Sequence, residues 1–380
     1  MITMEEGVVL GMQKIDGIVL KELKKLSPFS FSSTLMQYYK DIVSNTSAAE
    51  LLKNYETKLN FFGGTTVLLN QTLKDINVFS KCLYTYYDLI ELSPVMPLGT
   101  NSIITKISQN TVSSTIRSGE VIADPTTALT LEGALRRKKT KDNKEINLAT
   151  VCRVLRIQKF DNPNYYPHFN SFALASFVYS SLEKKFTYKK FIEHISIYLD
   201  YMLAQNKNNF LFADIEVRVS SIRLLNDILA TLSIESVDKL RRNSLNDEYD
   251  FLNDNELAVN PLISSIEELP TDFFKSKGIY VNVTGIKLVF DNVLEALRTK
   301  YKTVKFTLDI GRKAGLGYYK DLCFHILARN RNGECFTLAD GGEVSWAASL
   351  LSDNKERAIV SGFGLEMSQL HFTSDVTAQI

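Results

Sequence analysis

Two hydrophobic periodicities occupy separate blocks of this chain, and their order restricts the fold more than any other feature. Apolar residues recur at three-to-four spacing in VLKELKKL (19–26), LMQYYKDIV (35–43) and VLLNQTLKDINVFSKCLYTYY (67–87). In the last of these, Leu68, Leu69, Leu73, Ile76, Phe79, Leu83 and Tyr86 share one stripe, which predicts a long amphipathic helix. SIITKIS (102–108) and GEVIADP (119–125) instead alternate apolar and polar residues, predicting a hairpin of half-buried strands. LTLEGALRRK (129–138) reads as a helix. TVCRVLRI (150–157) and FNSFALASFVY (169–179) flank the turn-rich KFDNPNYYPH and read as a strand–loop–strand hairpin. From 186 to 300 the pattern is mainly helical, in FIEHISIYLDYMLA, VSSIRLLNDILATL and VTGIKLVFDNVLEALRTKY, with the acidic NSLNDEYDFLNDNE as a surface connection. Strand patterns return in VKFTLDIG, DLCFHILAR, ECFTLADGG and AIVSGFGL. A helical arm, strands, a helical insert and strands again predict an α+β architecture: an antiparallel sheet with helices packed around it.

Composition narrows the function classes. The 380 residues carry 44 basic and 43 acidic side chains, a net charge of +1, so no overall positive field advertises nucleic acid. RRKKTK (136–141) is the best candidate for a local basic face, and a solvated loop rich in Lys and Asn is its plainer reading. The four cysteines, Cys82, Cys152, Cys323 and Cys335, form no CxxC pair, and His168, His194, His325 and His371 are dispersed, so no metal site is expected. No apolar run is long enough to span a membrane, and the acidic start MITMEEGVVLGMQKIDG does not read as a signal peptide. A cytoplasmic protein is the expectation.

Several segments together resemble the class II aminoacyl-tRNA synthetases. TYYDLIELSPVMP, where a helix runs into a strand and Pro94, looks like motif 1; TVCRVLRIQKFDNPNYYPHFNSFALAS is similar to motif 2; AIVSGFGLEMSQL resembles motif 3. GLGYYKDLCFHI followed by ADGGEVSWAASLL is similar to the GLDYYT-type strand and GGRYDGL-type turn of the histidyl-tRNA synthetases. ADPTTALTLEGALRR resembles their RPExT segment, with Thr127 at its threonine. The resemblance covers residues 62–372 as a core, leaving 1–61 as a helical extension, 186–300 as a helical insertion and 373–380 as a tail, with no anticodon-binding domain.

In that family, ATP lies between the motif 2 and motif 3 strands, and motif 1 makes a dimer interface, which would place Pro94 at a subunit contact. The resemblance puts Arg156 at the ATP-binding arginine of motif 2 and the neutral Gln158 at its glutamate. Met367 stands where motif 3 has an arginine. Ala314 stands where a third arginine is expected, with Arg312 two residues earlier, about 6.6 Å away on a strand. The RPExT glutamate falls on Asp124 or Pro125, later motif 2 ligands fall near Ser171 and Ala175, and Glu343 replaces the arginine of GGRYD. The candidate pocket is therefore Thr127, Arg156, Gln158, Arg312, Tyr318, Tyr319, Glu343 and Glu366, with no catalytic residue. On a strand, Tyr318 and Tyr319 would face opposite sides, so at most one of them would line it.

Adenylation brings a carboxylate against a phosphate and needs fixed positive charge. With the shape-forming glycines and tyrosines kept and the charges replaced, the resemblance implies a pseudo-synthetase. It implies a regulatory subunit, most like that of ATP phosphoribosyltransferase in histidine biosynthesis, working as a homodimer with a catalytic partner subunit. One alternative is a free-standing ligase activating another acid with ATP and Mg²⁺. Another is a structural accessory subunit of a tRNA- or nucleic-acid-handling complex.

Overall fold

A computed structural model describes residues 17–105, 108–115, 117–140, 144–157, 166–180, 183–243, 249–257 and 259–373. Among them, nine strands form one sheet in the order β1-β4-β5-β11-β10-β9-β6-β8-β7. These are β1 (Asp88–Leu89), β4 (Ile146–Leu155), β5 (His168–Tyr179), β6 (Ala213–Ser221), β7 (Leu262–Ile263), β8 (Lys305–Asp309), β9 (Leu322–Arg329), β10 (Cys335–Val344) and β11 (Glu356–Phe363). The pairs β1–β4 and β6–β8 are parallel, and the remaining pairings are antiparallel. A separate ribbon joins β2 (Val95–Pro97) to β3 (Gly119–Val121). The expected α+β class, an antiparallel sheet flanked by helices, is what the chain forms.

β5 lies between β4 and β11 and is covered on both faces, which explains its nearly continuous apolar run, Phe172 to Phe177 being buried throughout. On one face lie the helices Leu69–Cys82 and Glu183–Gln205. Phe79 of the first stacks on Phe172 at 4.0 Å, and Tyr198 and Tyr201 of the second pack on Phe363. On the other face, the helix Pro125–Thr140 approaches so closely at Gly133 that a Cβ there would meet the Phe177 ring at 2.1 Å. No helix of the described residues is long and apolar enough to cross a membrane.

Local pattern is overruled in four places. SIIT (102–105), expected as part of a strand, instead completes the helix Thr100–Thr105, and 106–107 lie outside the described residues. The reason is Glu120, fully buried, whose carboxylate accepts hydrogen bonds from the backbone N–H groups of Gly99 and Asn101, both at 2.8 Å. That fixed acceptor meets the unpaired donors of a helix start. The helix expected over 67–87 ends at Cys82, and Tyr87 turns inward. VSSIRLLNDILATL is strand up to Ser221, which then caps the helix Ile222–Leu229; β6 thus places a sheet strand inside the insertion that the pattern marks as mainly helical. The Gly-Leu-Gly-Tyr-Tyr segment is a turn, not the start of a strand: Gly315 and Gly317 have φ of +87° and +78°, and β9 begins only at Leu322.

The described part of the N-terminal arm carries the helices Gly17–Leu23, Pro28–Ser44 and Ala48–Thr57. A capping box between Ser47 and Glu50 opens the third helix, and the second and third bury no residue. The RRKKTK segment offers no free arginine. Arg136 pairs with Glu132 and Asp88, and buried Arg137 with Glu356 at 3.0 Å.

Candidate functional site

Strand register decides what the sheet presents at its open face. Ser361 and Phe363 of β11 send their side chains to the Glu183–Gln205 helix. Gly362 between them faces the other way, next to its cross-strand partner Asp340 of β10, which pairs in turn with His325 of β9. Above that row opens a cavity of about 720 Å³, within the usual size of a small-molecule site. Its walls come from the start of the Pro125–Thr140 helix, the ends of β4 and β5, the glycine–tyrosine turn and the loop into the helix Leu365–Phe372.

The charges are few. Arg156 is the one basic residue among the described lining residues, against two acids, Asp124 and Asp340. The Arg156 guanidinium lies 5.5 Å over the Phe169 ring, donates to the Ala123 carbonyl at 2.8 Å and stands 3.9 Å from Asp124 Oδ2. Asp124 accepts from the Thr126 backbone N–H at 2.9 Å and from the Tyr318 hydroxyl at 3.0 Å. Asp340 receives Arg312 Nη2 at 3.0 Å, with His325 Nε2 at 3.6 Å. Burial alone would raise the Asp340 pKa, but the Arg312 and His325 charges hold it at about 2. Burial, with Asp124 beside it, pushes the Tyr318 phenol well above its ordinary value.

The residues singled out from sequence divide into two sets. Arg156, Tyr318 and Tyr319 line the cavity. Both tyrosines reach it because they sit on one turn, their backbone N–H groups both donating to the Gly315 carbonyl at 3.1 Å, so strand alternation never applies. Thr127 does not line it: the residue is buried and its hydroxyl is tied to Asn101 and the Asp124 carbonyl, while its neighbour Thr126 faces the cavity. Arg312 is buried behind the wall, donating to the Ala314 carbonyl at 2.8 Å and lying 5.3 Å over the Tyr319 ring. Glu343 is three residues past Asp340 and so turns to the opposite face, pairing with Lys320 at 3.0 Å. Glu366 is enclosed by Arg153, the Asn170 N–H and Thr65. Gln158 lies outside the described residues. Pro94 is exposed beside β2. Asp340 went unnoticed in the sequence, where it reads as one more residue of the ADGG strand. Asp124 carried a signal, an acid just before a Pro-Thr-Thr helix start.

No known protein-family profile matches this chain, and no curated protein matches its sequence. Solved structures do match. An ATP phosphoribosyltransferase regulatory subunit/histidyl-tRNA synthetase from Bacillus halodurans aligns at 15% identity with a TM-score of 0.58, over 81% of each chain. A histidine–tRNA ligase subunit from Alicyclobacillus acidocaldarius aligns at 14% identity and TM-score 0.57, over 80% of this chain and 93% of that one. A histidyl-tRNA synthetase from Nostoc aligns at 13% identity and TM-score 0.56, over 79% and 70%. The shared feature at these identities is the fold, a class II aminoacyl-tRNA synthetase-like core.

Proposed function

We propose that this chain is a non-catalytic regulatory subunit built on a histidyl-tRNA synthetase-like core, most like the regulatory subunit of ATP phosphoribosyltransferase. The observation that carries this reading is the charge of the cavity. Among the described residues, one guanidinium faces two carboxylates, and Arg312, buried behind the wall, holds Asp340 and a carbonyl. Adenylation is poorly served by such a wall, because a single guanidinium supplies the fixed positive charge that the phosphates require. Met367 adds an apolar side chain at the place where the resemblance calls for a motif 3 arginine.

An amino-acid effector fits better. Asp124 offers a carboxylate to an ammonium, and Arg156 a guanidinium to a carboxylate, 3.9 Å apart. Regulation then requires two states with different affinity for the effector, reported at a subunit contact. Exposed Leu69 and Leu73 on the helix Leu69–Cys82, and exposed Leu89 and Val95 to either side of Pro94 in sequence, support a homodimer through the motif 1 region, with the short edge strand β1 in it. A catalytic partner subunit would complete the assembly.

Amino-acid-dependent pyrophosphate–ATP exchange across a panel of acids tests the reading. No exchange above the blank is expected, together with a rise in Tm for at least one amino acid. Robust exchange would replace this reading with that of a ligase using ATP and Mg²⁺, for which Arg156 facing the cavity is the favouring observation.

A further inference from the structure

The two longer helices of the N-terminal arm find no core of their own. Pro28–Ser44 and Ala48–Thr57 bury no residue, and the second is shorter than the roughly 12–15 residues below which an unsupported helix is marginal in water. Yet each carries one apolar stripe. On the first, Tyr38, Tyr39, Ile42 and Val43 follow the partly exposed Phe31 and Leu35 at three-to-four spacing and are 43–70% exposed. Ser30, Ser33, Gln37, Lys40, Asp41 and Ser44 fill the opposite face. On the second, Leu51, Leu52 and Tyr55 share one side and are 44–65% exposed, with Glu50, Lys53 and Asn54 behind them. Such a pattern belongs to helices that bury one face, and among the described residues nothing covers these two.

Size, charge and position say what covers them. At those exposures the seven side chains leave roughly 700 Å² open on each arm, given that an aromatic side chain buries about 150–250 Å². Two copies burying their stripes against each other would remove roughly 1,400 Å², inside the range of about 1,200–2,000 Å² for a stable interface. Residues 28–57 hold two lysines and three acids, so the arm turns no positive face to nucleic acid or an anionic membrane, and two arms can meet without strong repulsion. Along the chain, exposed Phe62, Leu68, Leu69 and Leu73 then continue the apolar surface into the motif 1 region, where self-association is proposed above. A foreign partner would have to bring a complementary stripe. A second copy already has one.

We propose that the arm is a self-association element, in which the helices Pro28–Ser44 and Ala48–Thr57 bury their apolar stripes against the arm of a second copy of this chain. The same surface serves both copies, as a two-fold contact requires, and four helices, two from each copy, share one apolar layer. This contact goes beyond the motif 1 contact: it uses neither Leu89 nor Val95, and it stands if that one fails.

Cross-linking an equal mixture of isotope-labelled and unlabelled full chain, equilibrated by dilution and reconcentration, tests this with a lysine-reactive linker that reads exposed Lys40 and Lys53. Links that join the arm of a labelled chain to the arm of an unlabelled one are expected, with a dimer in sedimentation. Ile42→Gln combined with Leu51→Gln and Leu52→Gln removes the stripes while keeping good helix formers in place. It should abolish the mixed-label links and weaken self-association about tenfold or more, as for the loss of buried aliphatic side chains. Because no residue of these helices is buried in its own chain, the triple variant should fold as the parent does. Asn54→Ala, on the polar face, should leave links and affinity unchanged. Same-label links alone would place the stripes on their own chain and overturn the proposal. Absence of arm links, or mixed-label links that survive the triple variant, would overturn it equally. Leu89→Gln with Val95→Gln reads the motif 1 contact instead: if self-association withstands that pair of changes but not the triple variant, the motif 1 contact fails and the arm contact holds.

Discussion

Strand β11 has two sides that are built on different terms. Toward the Glu183–Gln205 helix, Ser361 bonds His194 at 2.8 Å and Tyr198 at 3.0 Å, His194 bonds Ser176 at 3.0 Å, and Ser176 bonds Tyr87 at 3.0 Å. Tyr87 reaches Glu193, which with Glu145 encloses the fully buried Lys190. Each of these polar groups is answered, and all but the partly exposed Glu145 are buried. Toward the cavity, the same sheet presents Gly362, Asp340 and an open volume with a single lining arginine among the described residues. Closed polar networks are expensive to alter, because each member left alone is buried without a partner. The open side carries no such penalty, which supports the idea that cavity charges can be exchanged on this core without loss of the fold.

The largest effect is expected where the closed side holds its charge. Lys190→Met leaves Glu193 buried with its main partner gone, and should cost about 3–5 kcal/mol in urea unfolding. A loss under about 1 kcal/mol, the level of an exposed ion pair, would break the comparison. His194→Phe comes next, at about 2–3 kcal/mol, since it strips hydrogen bonds from Ser176 and Ser361.

The same histidine gives the closed side a pH signature. Burial, with Lys190 nearby, holds the His194 pKa well below its ordinary value, so the ring is neutral in the fold. The unfolded chain takes up a proton near pH 6.5, and the fold does not. His194 therefore contributes stability above that pH, and loses about 1.4 kcal/mol per pH unit below it. His168 and His371, also lowered by burial, act in the same direction. Unfolding measured from pH 7.5 to 5.5 should show this fall, and His194→Phe should flatten it; an unchanged slope in the variant would assign the fall to the other two.

What could be read from sequence follows the same division between local and distant causes. The helices Pro125–Thr140 and Glu183–Gln205 and the strands β4, β5, β10 and β11 announce themselves by periodicity, because neighbours in sequence settle them. SIIT did not, because its helix depends on Glu120 from β3, and β6 did not, because its hydrogen bonds come from β8 and β9. For the cavity, family likeness located Arg156 and the two tyrosines. It could not separate Thr126 from Thr127, or foresee that Glu343 faces away, since a one-residue difference selects the face. Glu366 looked available until Arg153 and the Asn170 N–H were seen to enclose it.

Asp340→Asn probes the boundary between the two sides. It removes the carboxylate that faces buried Arg312, and should cost about 1–2 kcal/mol, less than a fully buried pair because 44% of the Asp340 side chain is exposed. Its pH window is also separate. With its folded pKa lowered to about 2, Asp340 stabilises the fold above the ordinary carboxylate range and ceases to do so as the pH falls toward 2. Acid unfolding near pH 3 should therefore differ between this variant and the parent.

Arg156→Ala should have the smallest effect on stability, within about 0.5 kcal/mol, because the side chain is partly exposed and its carbonyl partner can turn to water. Its effect on ligand binding should be the opposite. If the cavity takes an amino-acid effector, the lost guanidinium removes the group facing the effector's carboxylate, and affinity should fall about tenfold or more. Measuring both quantities on the same preparation is what gives the variant its force. Near-parental stability with lost binding sharpens the contrast between a closed side that holds the fold and an open side that holds a ligand. A loss of stability comparable to that of His194→Phe would mean that Arg156, through Ala123 and Asp124, is part of the scaffold. The cavity would then be held together as tightly as the side beneath it.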